Sequence, residues 1–203
     1  MSNSVAARPG GRNAAVREAA LLATSALLIE TGFDTLELAA VAERAGVGKS
    51  TIYRRWGSLP ALVADLLHEM AEQSVSRADT GSLRGDLHAN AELVRHTLSD
   101  VRQGRLFKAI IAAATCDQRT ADALAGFYDR RVSEWSPCVL DSIERGEAPA
   151  GTDAAAVIRQ VSAPLYYQFL TSTKRLTSID SARAADAAIA AVAAGVFVRP
   201  KAT

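Results

Sequence analysis

The stretch AVAERAGVGKSTIYRRW, residues 40–56, decides how the chain is read. Its centre, Gly46-Val47-Gly48-Lys49-Ser50-Thr51, matches the end of a phosphate-binding loop. A complete loop of that kind needs another glycine five residues before Gly48, after a buried strand. Position 43 holds Glu43, whose carboxylate would repel phosphate. The preceding LELAAVAERA, residues 36–45, has helical rather than alternating spacing. Nucleotide binding is therefore set aside.

Two short helices joined by a tight glycine turn account for the same letters. Ala45-Gly46-Val47 supplies a small residue, a turn glycine and an apolar contact. Leu38, Val41, Ala42, Val47, Ile52 and Trp56 then face inward, while Lys49, Ser50, Tyr53 and Arg54 face outward. Residues 44–56 carry four cations (Arg44, Lys49, Arg54, Arg55) and no acid. A basic cluster alone is most simply a solvated face. Turn, apolar pattern and charge together favour a surface whose donors meet phosphates and base edges.

The rest of the chain bounds this reading. At 203 residues, 49% hydrophobic and 22% charged, it has the composition of a globular protein of one ordinary domain and a small one. The net charge of +1 carries no nucleic-acid signal, so a basic footprint must be local. Cys116 and Cys138 stand 22 residues apart without a CxxC, which implies neither zinc nor a disulfide framework and fits a reducing, cytoplasmic setting. No metal and no cofactor is expected: His88 and His96 lack a carboxylate at ligand spacing, and there is no nucleophile elbow. Residues 19–29 mimic a signal peptide's apolar core. They are too short to span a bilayer, and Leu21, Leu22, Ser25, Leu28 and Ile29 fall on one helix face. No membrane association is expected.

The periodicity predicts an all-α chain of about nine helices, with no strand pattern. Residues 1–11 read as a flexible arm, 12–57 as a helix-turn-helix domain, and 58–203 as a second domain. The first helix covers about 12–31 and stops at Gly32. Asp34 and Glu37 offer a capping box for the second helix. Ser58 caps a fourth, with Pro60 in its first turn. Later helices fall near 83–101, 104–114, 118–145, 152–172 and 180–197, with breaks at Gly104, Cys116-Asp117 and Gly146–Gly151.

On Gly32-Phe33, Val41 through Trp56, Ser58 and Leu62, the sequence resembles the TetR family of bacterial transcriptional regulators. Gly81-Ser82-Leu83-Arg84-Gly85-Asp86-Leu87 and Pro164-Leu165-Tyr166-Tyr167 are similar to the C-terminal domain of one subgroup. The resemblance implies a homodimer with an N-terminal DNA-binding domain and a C-terminal ligand-binding and dimerisation domain. Carried onto matching positions, it places Lys49, Ser50 and Tyr53 in the major groove and Thr51, Tyr53, Arg54 and Arg55 near phosphates. Arg8 or Arg12 would reach a neighbouring groove. Two departures remove phosphate anchors: Glu37 stands where family members often have Thr or Ser, and Leu59 where many have lysine.

A pocket for a small hydrophobic ligand would involve Leu66, Met70, Leu87, Val94, Phe107, Ile111, Phe127, Tyr128, Trp135 and Tyr166, each of which also suits ordinary core. A dimer seam would use Ala154, Val157, Ile158, Val161, Leu165 and Phe169 with Ala184, Ala188, Ala191, Val192 and Gly195. The expected function is a ligand-responsive regulator, a repressor released from double-stranded operator DNA, and not an enzyme. The alternative is an all-α lipid-binding enzyme or carrier without specific DNA binding; a ligand-free interaction module would instead have a fully packed C-terminal core.

Overall fold

Alanine and leucine, the residues that lose least on entering a helix, build a wholly helical framework. The computed structural model describes residues 9–74 and 76–199. Among these lie nine helices: α1 Pro9–Thr31, α2 Leu38–Arg44, α3 Lys49–Trp56, α4 Leu59–Glu72, α5 Leu83–Ser99, α6 Val101–Cys116, α7 Gln118–Glu144, α8 Ala154–Thr171 and α9 Ser178–Ala193. The only bridge of β type among the described residues joins Thr152 to Val198. No helix among them is long and apolar enough to cross a membrane. The helices form two units, described separately. One holds the described residues up to Glu72 with Lys108–Ala125; the other holds Gln73–Phe107 and the described residues from Gly126 onward.

In the first unit α1 packs on α2 and α4, α2 on α3, and α3 on α4. Leu28, Val41, Ala42, Ile52, Leu62, Val63 and Leu67 are its almost fully buried centre. The α1 stripe is shifted from the expected one: Ala20, Leu21, Thr24, Ser25 and Leu28 are buried, whereas Leu22 is exposed. The helix also starts earlier than expected, at Pro9, so residues 9–11 belong to α1 rather than to an arm. Residues 1–8 of that arm, with Arg8, lie outside the described residues, as does the side chain of Arg12.

Helix ends correct the reading in two places. The capping box at Asp34 does not form; α2 starts later, its cap is Glu37, and that side chain makes no capping bond. A turn closed by Leu36 N–H donating to the Phe33 carbonyl at 3.1 Å occupies the place instead. Gly104 does not break a helix but lies inside α6. The break is at Asp100, whose Oδ1 accepts from the Arg102 and Gln103 amides at 3.1 and 2.8 Å. Gly104 is there for proximity: a Cβ would lie 2.6 Å from the Leu98 carbonyl oxygen and 3.4 Å from the Phe169 ring. Ser58 does cap α4, accepting from the Ala61 amide at 3.3 Å.

In the second unit α5, α8 and α9 pack on one another. Leu87, Ala91, Val157, Ile158, Val161, Leu165, Ala184, Ala185, Ala188 and Val192 form the seam between them. Ser82 caps α5, Asp153 caps α8, and Thr177 with Asp180 forms a capping box on α9. This packing corrects the dimer seam read from the sequence. Ala154, Val157, Ile158, Val161, Leu165, Ala184, Ala188 and Val192 are all buried inside their own chain. The opposite side of α8 is the apolar one left open, with Tyr167 71% and Leu170 48% exposed.

Candidate nucleic-acid interface

The residues at 45–48 set the angle between α2 and α3. α2 ends when Gly46 takes a left-handed φ of 65°, open to glycine at no steric cost. The Gly46 amide donates to the Glu43 carbonyl at 3.1 Å, and the Val47 amide to that of Ala42 at 3.0 Å. These two bonds close a Schellman turn and satisfy carbonyls that the helix end leaves open. The segment preceding Gly48 is thus a helix and a turn, not the buried strand that a phosphate loop requires.

From Gly48 the chain enters α3, where side chains separate by face. Ile52 is fully buried. Lys49, Ser50, Tyr53, Arg54 and Arg55 are exposed and Thr51 is half-buried. Lys49, Ser50, Tyr53 and Arg54 fall at i, i+1, i+4 and i+5, one strip of a helix. None of these four makes a hydrogen bond or ion pair among the described residues. The strip offers an ammonium, two hydroxyls and a guanidinium, donors suited to phosphate oxygens and to acceptor edges of bases.

Two cations counted with this strip are otherwise engaged. Arg44 donates to both Glu30 oxygens, at 2.5 and 2.8 Å. Arg55 donates to the Asn13 carbonyl at 3.1 Å, and its guanidinium carbon stands 5.1 Å from the Trp56 ring centroid. Behind α3, the Trp56 indole N–H donates to Asp65 Oδ2 at 2.9 Å. Asp65 also receives Arg17 in a forked pair at 2.6, 3.0 and 3.1 Å, and Arg17 reaches Glu69 as well. Burial alone would raise the Asp65 pKa, but the bonds from Arg17 and Trp56 outweigh it and hold the carboxyl below its ordinary value. Its contribution to stability is therefore complete above the unfolded-state pKa and lost as acid takes pH down through the folded value. At neutral pH the brace stays charged. Bonds from Asp65, then Glu69, raise the Arg17 pKa.

The partners Asn13, Arg17, Glu30 and Asp65 were not anticipated from the sequence. Arg17 and Asp65 are 48 residues apart, and no local pattern links them.

The residues put forward as a pocket divide between the units. Leu66, Met70 and Ile111 lie in the first; Leu87, Val94, Phe107, Phe127, Tyr128, Trp135 and Tyr166 lie in the second. Four of the latter join one aromatic run. Phe107 meets Phe127 at 5.7 Å between centroids, Phe127 meets Tyr128 at 5.4 Å, Tyr128 meets Tyr166 edge-on at 5.4 Å, and Tyr166 meets Phe169 at 6.5 Å. Burial raises the pKa of both phenols, so they remain protonated. The enclosed Trp135 Nε1 has no hydrogen-bond partner, and the enclosed Tyr128 hydroxyl has only the Tyr166 hydroxyl beside it. His88 is taken up by Asp186, 3.0 Å away.

Comparison with known proteins adds three kinds of likeness. Residues 20–66 match the family described as bacterial regulatory proteins, tetR family, and residues 77–199 match the tetracyclin repressor-like C-terminal domain. The chain is 29% identical over 160 residues to the HTH-type transcriptional regulator YdeS of Bacillus subtilis, covering 78% of this chain and 80% of that one. It is 31% identical over 149 residues to the HTH-type transcriptional regulator AqdR of Rhodococcus erythropolis, covering 72% and 70%. It is 33% identical over 141 residues to the DNA-binding transcriptional repressor TetR of Mycobacteroides abscessus, covering 68% and 73%. The crystal structure of the TetR family transcription regulator SCO0332 superposes with a TM-score of 0.69 at 26% identity, over 87% of this chain and 98% of that one. All four of these relatives carry the names of transcriptional regulators.

Proposed function

The chain belongs to the TetR family of bacterial regulatory proteins, and from that premise we propose that it represses transcription as a homodimer on a two-fold operator, in the cytoplasm, and leaves the operator on binding a small molecule. Residues 12–57 carry the DNA-reading part. The observation that carries the reading is the free outer strip of α3, with Lys49, Ser50, Tyr53 and Arg54 exposed while Ile52 is sealed behind them. Lys49, Ser50 and Tyr53 face base edges; Thr51 and Arg54 approach phosphates. Two such helices about 34–36 Å apart would enter successive major grooves.

The test is selection of duplexes from a random-sequence pool by the purified protein. The bound sequences should converge on a pseudo-palindrome with half-site centres one helical turn apart, or a multiple of it. At one stated salt concentration the selected duplex should bind about 10³-fold or more tighter than a scrambled one. Salt-sensitive binding with no sequence preference would leave α3 as a merely basic surface and end the reading.

The ligand's chemistry is supported by the second unit. Two enclosed donors on α7, Tyr128 and Trp135, stand at i and i+7, about 10 Å apart along the helix. The Trp135 donor, left unmet, costs on the order of 1–3 kcal/mol, and the Tyr128 hydroxyl has only that of Tyr166 beside it. A molecule with acceptors at both ends relieves that cost; a pure hydrocarbon does not. The nearby Arg131 is held by Glu134 and Ser74, which disfavours a buried carboxylate. The occupant these groups favour is neutral, with carbonyl or ring-nitrogen acceptors, and the neighbouring rings of Phe127, Tyr128 and Tyr166 suit a planar aromatic body. Members of such a series should raise the melting temperature and weaken operator binding by about 5- to 150-fold. A response confined to saturated fatty alcohols would overturn this choice of chemistry.

A further inference from the structure

We infer that the Asp65 carboxylate, held by Arg17 from α1 and itself holding the Trp56 indole, fixes the pitch of α3, and that Arg55 belongs to this brace rather than to the phosphate contacts. The inference rests on the DNA-reading role of α3 and names the residues that aim it.

A helix of eight residues has little stability of its own. Its direction is set by whatever grips it. Ile52 is its one fully buried side chain, and a single apolar pin leaves the helix free to swivel. Two contacts to neighbouring helices remove that freedom, and a third, within α3, holds their two side chains together. Trp56 at the last position is tied to α4 through Asp65, Arg55 is tied to α1 through the Asn13 carbonyl, and the Arg55 guanidinium lies over the Trp56 ring.

Asp65 is the node of this set. Its Oδ1 takes two bonds from Arg17, and its Oδ2 takes one from Arg17 and one from Trp56, so side chains from α1, α3 and α4 meet on one carboxylate. A planar guanidinium matched to both oxygens fixes the carboxylate plane and leaves a defined lone pair for the indole. Arg55, although exposed, already has two occupations, the Asn13 carbonyl and the Trp56 ring. Turning it onto a phosphate would break both.

The brace makes a sign prediction that simple charge does not. Asp65→Asn makes the protein more positive by one, which on electrostatics alone tightens binding to any duplex. Acting through position, it should lower affinity for the selected duplex about tenfold, while affinity for a scrambled duplex holds or rises. Trp56→Phe keeps charge and ring but drops the donor, and should reproduce the specific loss with no change on the scrambled duplex. Arg55→Gln should weaken specific binding while leaving the slope of log K against log salt unchanged; a phosphate contact from each protomer would reduce its magnitude by about 1.8.

The readout is fluorescence anisotropy with both duplexes over a salt series, with the full-length dimer. Specific loss in Asp65→Asn and Trp56→Phe, with an unchanged slope in Arg55→Gln, supports the brace. Parental specific binding in both of the first two, equal losses on both duplexes in Trp56→Phe, or a slope reduced by about two in Arg55→Gln overturns it. Should the parent itself fail to prefer the selected duplex, the DNA-reading role falls first and the inference with it, an outcome distinct from the other three.

Discussion

A protein carrying Lys49→Ala and Tyr53→Ala together binds its selected operator about 10²- to 10⁴-fold more weakly than the parent, at unchanged melting temperature and as the same dimer. Both side chains are exposed on α3 and make no hydrogen bond or ion pair among the described residues, so truncating them opens no cavity and strands no partner. Surface changes of that kind stay within about 0.5 kcal/mol of parental stability. Binding is another matter. A base contact is worth about 1–3 kcal/mol, and about 1.4 kcal/mol is tenfold in affinity. Two lost contacts in one half-site already give the stated range, so with four in the dimer the loss lies toward its upper end or beyond, less whatever coupling arises because the residues are adjacent on the helix surface. Titration against selected and scrambled duplexes at one salt concentration checks the result, with calorimetry as the fold control. The scrambled duplex should lose less, since only the Lys49 charge contributes there. Parental affinity for the selected duplex in this variant would remove α3 as the reading element.

The contrast between these outer residues and the brace behind them shows what a single sequence discloses. The inward and outward faces of α3 follow from a period of 3.6, and the turn from one glycine between apolar positions. Both readings depend on residues within one or two turns of each other. The node at Asp65 does not. Arg17, Trp56 and Asp65 are isolated letters until α1 and α4 are laid side by side, and nothing local distinguishes Arg55, tied inward, from Arg54, which is free. Gly104 misled for a related reason. A glycine reads as a break when its neighbours are unknown, and here it is required by a carbonyl and a ring that approach from elsewhere. The seam residues on α8 failed differently. That helix is apolar on two sides, and periodicity reports a face without saying which body it meets.

This two-sidedness of α8 carries the second large effect. Its inner stripe is spent on α5 and α9, yet the outer stripe runs Ala163, Pro164, Tyr167 and Leu170, all exposed, at helical spacing. A contiguous exposed apolar strip of this kind marks a surface that a partner ordinarily covers. A second copy of this chain is the occupant that a two-half-site reader requires, and TetR-family regulators usually dimerise. In a two-fold interface each patch meets its own image, so a charge placed near the axis faces a like charge. Tyr167→Arg with Leu170→Arg should therefore give a folded monomer. A monomer reads one half-site and loses the tethering of the second reading helix, a factor of about 10²- to 10⁴-fold in operator affinity. Leu140→Arg is the control: Leu140 is also half exposed, at 51%, but lies on α7, and its change should leave the dimer and the operator complex intact. Sedimentation velocity gives the assembly state and anisotropy the affinity. The two large effects thus separate. Loss of the α3 strip removes binding from an intact dimer, whereas loss of the α8 strip removes both. A Tyr167→Arg, Leu170→Arg protein that still sediments as a dimer would move the seam to another surface, and the spacing of the two reading helices would have to be derived from that surface instead.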